Sequence, residues 1–439
     1  FQRPPLLPML LSPFAGLAVY EMVSRLLVAF LNSLVVFPVY YLTRFVFSKN
    51  AAFVRVDKAQ VDRSRLCTVA SKATCECEAA LIAAALIAFL PVHVLNSRWV
   101  MTDALGAMLA FSAVAACLIG FQKRSSLLIY GGGVLAALAI LMKFTNLLVL
   151  VLLLPLILIN LRARRKIILI SMLLFAATLL PYIIFNMLSF GSPFFTFQHA
   201  FHVVAEADSV GLLFFLYSLK DIFGLLLVFL VIGVLAAVIG RKSGSSNSEA
   251  KIYLLYCLLL ALAYSLFIIN RGVTKPAGLE WEAERFLLLP ALFAIPFVAA
   301  GITSVSAFLA PFFRRYRLCF AVALLLAAVL ISLSLYPQFL RSYTPAIAYE
   351  DGLREVTKEL GTYIRTSPVP EFGCIGNCPP LAYYSGRKLI VYYSYAELAA
   401  ANHSRLVVFD RSRENFAAGY SAVKELCSRS HCAYLLARS

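Results

Sequence analysis

A chain of 439 residues that is 62% hydrophobic and only 14% charged, with mean hydropathy +0.85, is too apolar for a soluble globular protein. Its formal charge of +17 would suit a nucleic-acid binder, but that charge alternates between loops, which is the pattern of membrane topology. The composition therefore reads as a polytopic membrane protein with room for one small soluble domain, and it excludes nucleic acid as the partner.

The chain begins at Phe1, with no basic start or small-residue cleavage site that would mark a signal peptide. In Arg3-Pro-Pro-Leu-Leu-Pro8 three prolines remove donors, so the segment is expected to be an interface-hugging turn and not a regular helix. Ten candidate spans follow: Tyr20–Val46, Ala79–Leu95, Ala104–Phe121, Leu127–Lys143, Leu147–Asn160, Ile167–Met187, Ile222–Gly240, Ile252–Asn270, Phe286–Ser304 and Leu318–Tyr336. Most approach the roughly 20 residues that cross a bilayer. Glu21 and Arg25, four apart on the first span, can pair on one helical face.

Nineteen lysines and arginines fall in one alternating set of loops, among them Arg44, Lys123, Arg164, Arg241 and Arg314. Seven fall in the other: Arg3, Arg98, Lys143, Lys220, Arg271, Lys275 and Arg285. The positive-inside rule puts the first set in the cytoplasm. Asp103, Lys143, the loops Leu188–Asp221 and Arg271–Arg285, and everything after Tyr336 are then outside. So is the N-terminus, which leads to the expectation that at least one upstream span precedes Phe1.

Asn96–Leu105 joins two apolar runs by a turn that holds Arg98 and Asp103 at a membrane edge, where ionisable groups are costly unless paired or hydrated. The loop Ser48–Glu78 carries Cys67, Cys75 and Cys77, a spacing that lacks a second zinc-ligand pair. Gly131-Gly132-Gly133 inside an apolar span suits close helix packing. Lys143 ends that span, where it can snorkel to the interface or face a lipid phosphate. Asn186-Met-Leu-Ser-Phe-Gly-Ser-Pro193 ends a later span with turn chemistry, and His199, His202, Glu206 and Asp208 follow as a weak metal pattern or an amphipathic surface helix. Glu280, Glu282, Glu284 and Arg285 crowd the start of Phe286–Ser304, as a solvated rim or as a polar-substrate site in which Arg285 takes an anion.

After Tyr336 the pattern changes. Glu350–Thr366 reads as an amphipathic helix, Lys388–Tyr393, Arg405–Phe409 and Cys432–Leu436 as strands, and Tyr395–Ala401 and Glu414–Leu426 as helices. That alternation suggests a small α/β domain with a partly parallel sheet. Cys374, Cys378, Cys427 and Cys432 lie outside, where disulfides persist; local pairs and cross-pairs are both open, and a four-thiolate zinc site is a weaker option. Asn402-His-Ser404 is a formal glycosylation sequon.

Five stretches carry a family resemblance: Arg3–Leu6, Ser97–Leu105, Gly131–Lys143, Asn186–Pro193 and Glu284–Pro290. Their order, and the shared side on which they fall, resembles the C-superfamily glycosyltransferases that use dolichyl- or polyprenyl-phosphate sugars, such as protein O-mannosyltransferases and aminoarabinose transferases. The resemblance implies a mainly α fold: a polytopic transmembrane bundle over residues 1–336, lacking its first span and first outer loop, and an extracytoplasmic α/β domain over 337–439. It implies transfer of a sugar from the lipid carrier to a protein, lipid or glycan acceptor at the outer face of the plasma membrane, or of the endoplasmic reticulum in a eukaryote. Arg3, Lys143 and Arg285 match donor-phosphate ligands and Asp103 a catalytic acid, with the principal base expected upstream of Phe1. Gln2 stands where an acid often precedes the basic residue. Arg98, Glu282 and Glu284 are candidate substrate-rim residues. No cofactor is implied, although a divalent metal is compatible with the chemistry. The competing class is a transporter or flippase, which would show repeated halves and a midplane site. No repeat is seen, and the charges cluster at one face.

Overall fold

The computed structural model describes residues 5–14, 20–47, 78–97, 101–198, 219–220, 222–239, 248–272, 285–309, 352–369, 371–375, 381, 385–392, 405–409, 420–428 and 431–438. The chain divides into two compact units, Phe1–Phe339 and Leu340–Ser439.

The first unit is a helix bundle. Five described helical stretches are long and apolar enough to cross a membrane: Met22–Phe47, Thr102–Lys123, Phe144–Phe190, Ser248–Phe267 and Arg285–Ser306. Three shorter apolar helices accompany them, Glu78–Phe89, Ser126–Met142 and Leu226–Ile239. The expected span Leu318–Tyr336 lies outside the described residues, as do the loop 48–77 and the histidines near 200.

Proline decides where the predicted spans break. The first helix, α1 (Leu6–Leu11), forms in the segment expected to be irregular. Pro8 is its third residue, and the first four N–H groups of a helix have no intrahelical acceptor, so no hydrogen bond is lost. The span predicted from Tyr20 is two helices, α2 (Tyr20–Ser33) and α3 (Val36–Phe47). Pro38 would clash with the carbonyl four residues back, at Leu34, and the chain turns at Leu34–Val35 instead. Pro91 likewise separates α4 (Glu78–Phe89) from α5 (Pro91–Ser97).

Helices α6 (Thr102–Lys123) and α7 (Ser126–Met142) follow as an antiparallel pair, with Arg124 in the left-handed conformation at the turn. The next helix, α8 (Leu148–Phe190), has one non-helical residue, Arg164, at φ −137 and ψ 31. A straight helix would set Phe144 and Tyr182 about 57 Å apart at 1.5 Å per residue. Their ring centroids are 6.3 Å apart, so the chain doubles back at Arg164, and the two expected spans on either side of Arg162–Lys166 are its antiparallel arms.

Helices α9 (Leu226–Ile239), α10 (Ser248–Gly272) and α11 (Leu288–Leu309) complete the bundle. Phe111 of α6 packs on Phe293 of α11 with ring centroids 5.2 Å apart, both fully buried. A Cβ on Gly132 would meet Cys117 of α6, and one on Gly133 would sit 2.7 Å from the Ser171 carbonyl of α8, while Gly131 has nothing within 4 Å. Two of the three glycines therefore serve the close packing expected of them. Gly233 and Gly301 do the same between α9 and α11, each against the other helix's backbone.

The bundle sorts its charges by end. Lys123, closing α6, lies 5.9 Å from the Phe45 ring of α3, and Lys251, opening α10, lies 5.8 Å from that of Phe47. Asp103, Lys143 and Arg285 sit at the opposite ends of α6, α7 and α11.

The second unit holds a helix, α12 (352–365), and a five-stranded sheet. Its strands are β1 (Glu371–Ile375), β2 (Lys388–Tyr392), β3 (Arg405–Phe409), β4 (Tyr420–Ser428) and β5 (His431–Arg438), in the order β2-β1-β3-β5-β4. β1 pairs parallel with β2 and β3, whereas β5 pairs antiparallel with β3 and β4. Val356, Leu360 and Ile364 of α12 bury against Phe372, Cys374, Val407 and Leu435. The partly parallel sheet matches expectation, but the helix expected over Glu414–Leu426 does not: from Tyr420 onward that stretch is β4. Its helical periodicity is overridden by a register with β5 that sets Cys427 opposite Cys432, bridged by a disulfide with Cα atoms 4.1 Å apart. Cys374 is disulfide-bonded too, and Cys378 lies outside the described residues. Glu425 approaches the two bridged sulfurs, but a disulfide offers no thiolate to a metal.

Candidate active site

Three helix ends build the site. Asp103 lies in the first turn of α6, where the helix dipole favours a carboxylate. Lys143 caps α7 in extended conformation, φ −156 and ψ 127, its N–H bonded to the Ala139 carbonyl at 3.0 Å. A 3-10 turn, Phe144–Leu147, follows and leads into α8. Asn146 in that turn is buried, donates Nδ2 to the Ala139 carbonyl at 2.9 Å, and packs where a side chain on Gly106 would otherwise stand. The turn is thereby locked to the end of α7 and to α6, which fixes where Lys143 leaves the backbone. Arg285 begins a second 3-10 turn, Arg285–Leu287, ahead of α11. A cation gains nothing from the dipole at that helix end, so the position of Arg285 calls for another partner.

That partner is Asp103. Lys143 Nζ forms a salt bridge with Asp103 Oδ1, and Arg285 Nε lies 3.8 Å from the same oxygen. Phe286 lies against both cations, with Lys143 Nζ 4.4 Å and Arg285 Cζ 5.3 Å from its ring centroid. The Phe286 carbonyl accepts a hydrogen bond from Ser265 Oγ of α10 at 2.7 Å. These side chains, with Thr145, Asn146, Tyr264 and Leu289, line a small cleft that is partly open to solvent. The Asp103 side chain is 6% exposed, against 19% for Lys143 and 25% for Arg285. Asp103 is therefore the most enclosed of the three charged groups.

Replacing a buried ion pair by apolar residues is often neutral or stabilising, so this trio is poorly explained by stability alone. The described lining carries two cations and one carboxylate. Chemically, the arrangement can bind an oxyanion and stabilise charge that develops on it.

Of the residues singled out in the sequence, Asp103, Lys143 and Arg285 are brought together. Arg3, Arg98, Glu282 and Glu284 lie outside the described residues. Leu6, just after the Arg3-Pro-Pro run, packs on Leu141, Phe144 and Tyr182, beside the Lys143 end of α7. The Glu21 side chain is likewise outside the description, so its pairing with Arg25 is not placed. Sequence reasoning missed Asn146, Ser265 and Phe286. Asn146 neighbours the Gly131–Lys143 stretch and Phe286 lies inside Glu284–Pro290, so both were within reach; Ser265, one serine in an apolar helix, carried no signal.

The turn Asn186–Pro193 behaves as its residues suggested. Gly191 takes φ +70 and caps α8, and Asn186 donates to the Pro193 carbonyl at 3.2 Å and to Thr196 Oγ1 at 3.1 Å. Phe197 then returns to pack on Phe144, with centroids 4.1 Å apart and the rings tilted by 32°, next to Lys143.

No family model and no curated protein matches the chain. Solved structures do. The crystal structure of ArnT from Cupriavidus metallidurans bound to undecaprenyl phosphate aligns over 99% of this chain and 88% of its own, with TM-score 0.59 and 14% identity. The same protein in the apo state aligns over the same shares, with TM-score 0.59 and 16% identity. The Archaeoglobus fulgidus oligosaccharyltransferase, in complex with zinc and sulfate, aligns over 93% of this chain and 59% of its own, with TM-score 0.58 and 17% identity. Over nearly its whole length, then, the chain is similar in fold to ArnT and to an archaeal oligosaccharyltransferase.

Proposed function

We propose that the protein is an integral-membrane glycosyltransferase that moves a sugar from a polyprenyl or dolichyl phosphate to an acceptor at the outer face. The observation that carries this reading is the convergence of Lys143 and Arg285 on Asp103 in one cleft. The fold likeness supports it, since one ArnT structure holds undecaprenyl phosphate. In this reading the spans number ten, the basic end of the bundle is cytoplasmic, and the unit after Phe339 is extracytoplasmic. The plasma membrane, or the endoplasmic reticulum in a eukaryote, is the setting.

The proposed chemistry follows from charge. As the bond between the sugar's anomeric carbon and the phosphate oxygen breaks, the bonding pair goes to the phosphate. Lys143 and Arg285 stabilise that charge, with Arg3 as a third ligand. An acceptor hydroxyl attacks the anomeric carbon and gives its proton to a carboxylate within hydrogen-bond reach. Asp103 Oδ1 accepts from Lys143 and has Arg285 Nε 3.8 Å away, so the carboxylate suits orienting the two cations, while the principal base comes from elsewhere. Arg98, Glu282 and Glu284 are assigned to the substrate rim. Apolar walls between helices hold the polyprenyl tail, and the acceptor is a protein, lipid or glycan.

The test is sugar release from a radiolabelled polyprenyl-phosphate sugar by membranes containing the full chain. Lys143→Ala is expected to lower turnover by about 10²–10³-fold, the range seen on removing one oxyanion donor. Unchanged transfer would rule out the phosphate role of Lys143.

A further inference from the structure

We propose that Phe286 is a positioning residue, its ring face holding Lys143 and Arg285 together at one anion position; this rests on the phosphate reading of the cleft. Both cations fall within the roughly 6 Å over which an aromatic face attracts a positive charge: Lys143 Nζ at 4.4 Å and Arg285 Cζ at 5.3 Å. They come from different elements, the end of α7 and the turn before α11, and like charges brought close repel. Asp103 offsets that repulsion from one side. An entering phosphate competes with Asp103 for the same donors, so the carboxylate cannot be the whole support. The ring is bonded to neither cation and does not compete with the anion, so it serves the free and the occupied cleft alike.

Its placement is fixed from below. Ser265 Oγ, on a residue 3% exposed, holds the Phe286 carbonyl at 2.7 Å, and the next side chain, Leu287, is fully buried. The backbone of the turn is thus pinned to α10 on one side and to the core on the other. Phe286 also packs against the bundle core, so a probe that keeps the shape of the ring is needed to separate its effect on the cations from packing.

The experiment places phenylalanines carrying one to several ring fluorines at position 286 in the full chain, reconstituted in nanodiscs, and measures binding of undecaprenyl phosphate. Fluorination drains the negative ring face with little change of shape. Affinity is expected to fall stepwise with fluorine number, reaching about tenfold, with Phe286→Leu at the same level and Phe286→Tyr near the parent. In turnover assays the loss is expected in KM for the donor more than in kcat. Lys143→Ala is measured beside them. If Lys143→Ala weakens binding while the fluorinated series does not, the role of Phe286 is overturned and the phosphate reading stands. If Lys143→Ala leaves binding intact, the phosphate reading fails and takes this inference with it.

Discussion

Asp103 changes meaning between sequence and structure. From the sequence it is an acid on a short outer loop, which the resemblance matches to a catalytic acid. In the structure it is the buried counter-ion of Lys143, with Arg285 Nε 3.8 Å away. Two roles then separate by substitution. Asp103→Asn keeps the shape but removes the charge that balances two cations, so Lys143 and Arg285 repel one another. If Asp103 orients them, Asp103→Asn is expected to raise KM for the lipid donor and to lower kcat by well under the 10²–10³-fold expected for losing an oxyanion donor. Steady-state kinetics on a polyprenyl-phosphate sugar decide it; loss of kcat at unchanged KM would mark Asp103 as the proton acceptor instead. That Asp103, Lys143 and Arg285 matter was legible because charges at a membrane edge are costly and few. Their contact was not legible: 40 residues separate Asp103 from Lys143, and only the fold measures that gap.

At the scale of elements, the sequence located most helices and misplaced their breaks. Hydropathy sees one apolar run from Tyr20 to Val46, while Pro38 makes two helices of it. The reverse held at β4, where Glu414–Leu426 has helical spacing but the Cys427–Cys432 register imposes a strand. Glycine gives the sharpest element-scale test, since three adjacent glycines meet three environments. Gly131→Ala faces open space and adds helix propensity, so it is expected to be neutral or stabilising by up to about 1 kcal/mol. Gly133→Ala drives a methyl against the Ser171 carbonyl of α8, a backbone atom that cannot swing away, and is expected to cost about 1–3 kcal/mol. Thermal unfolding of the two variants in detergent reads the difference; equal melting temperatures would mean that α7 and α8 do not pack through this glycine.

For the whole molecule, the alternation of basic loops and the doubling back of α8 make one statement about direction. Arg165 lies at the bend and Gln198 beyond the far end of the second arm. With Arg165→Cys and Gln198→Cys, an impermeant maleimide is expected to label position 198 in intact cells and position 165 only after lysis. Labelling of both from one side would break the topology on which the outer site depends. The membrane class and the small α/β unit were readable from composition and patterning, because burial in lipid and alternation along strands are local properties. That Lys143 and Arg285 serve one phosphate was implied by the resemblance; the contacts that build the cleft were not readable, because they exist only where three helix ends meet.

The most direct measurement is an experimental structure of the full chain with undecaprenyl phosphate. The account predicts the phosphate in the cleft between Lys143 and Arg285, its oxygens about 2.7–2.9 Å from their nitrogens, with the Asp103–Lys143 bridge lengthened to admit it. A headgroup bound elsewhere, with the Asp103–Lys143 bridge unchanged, would contradict it.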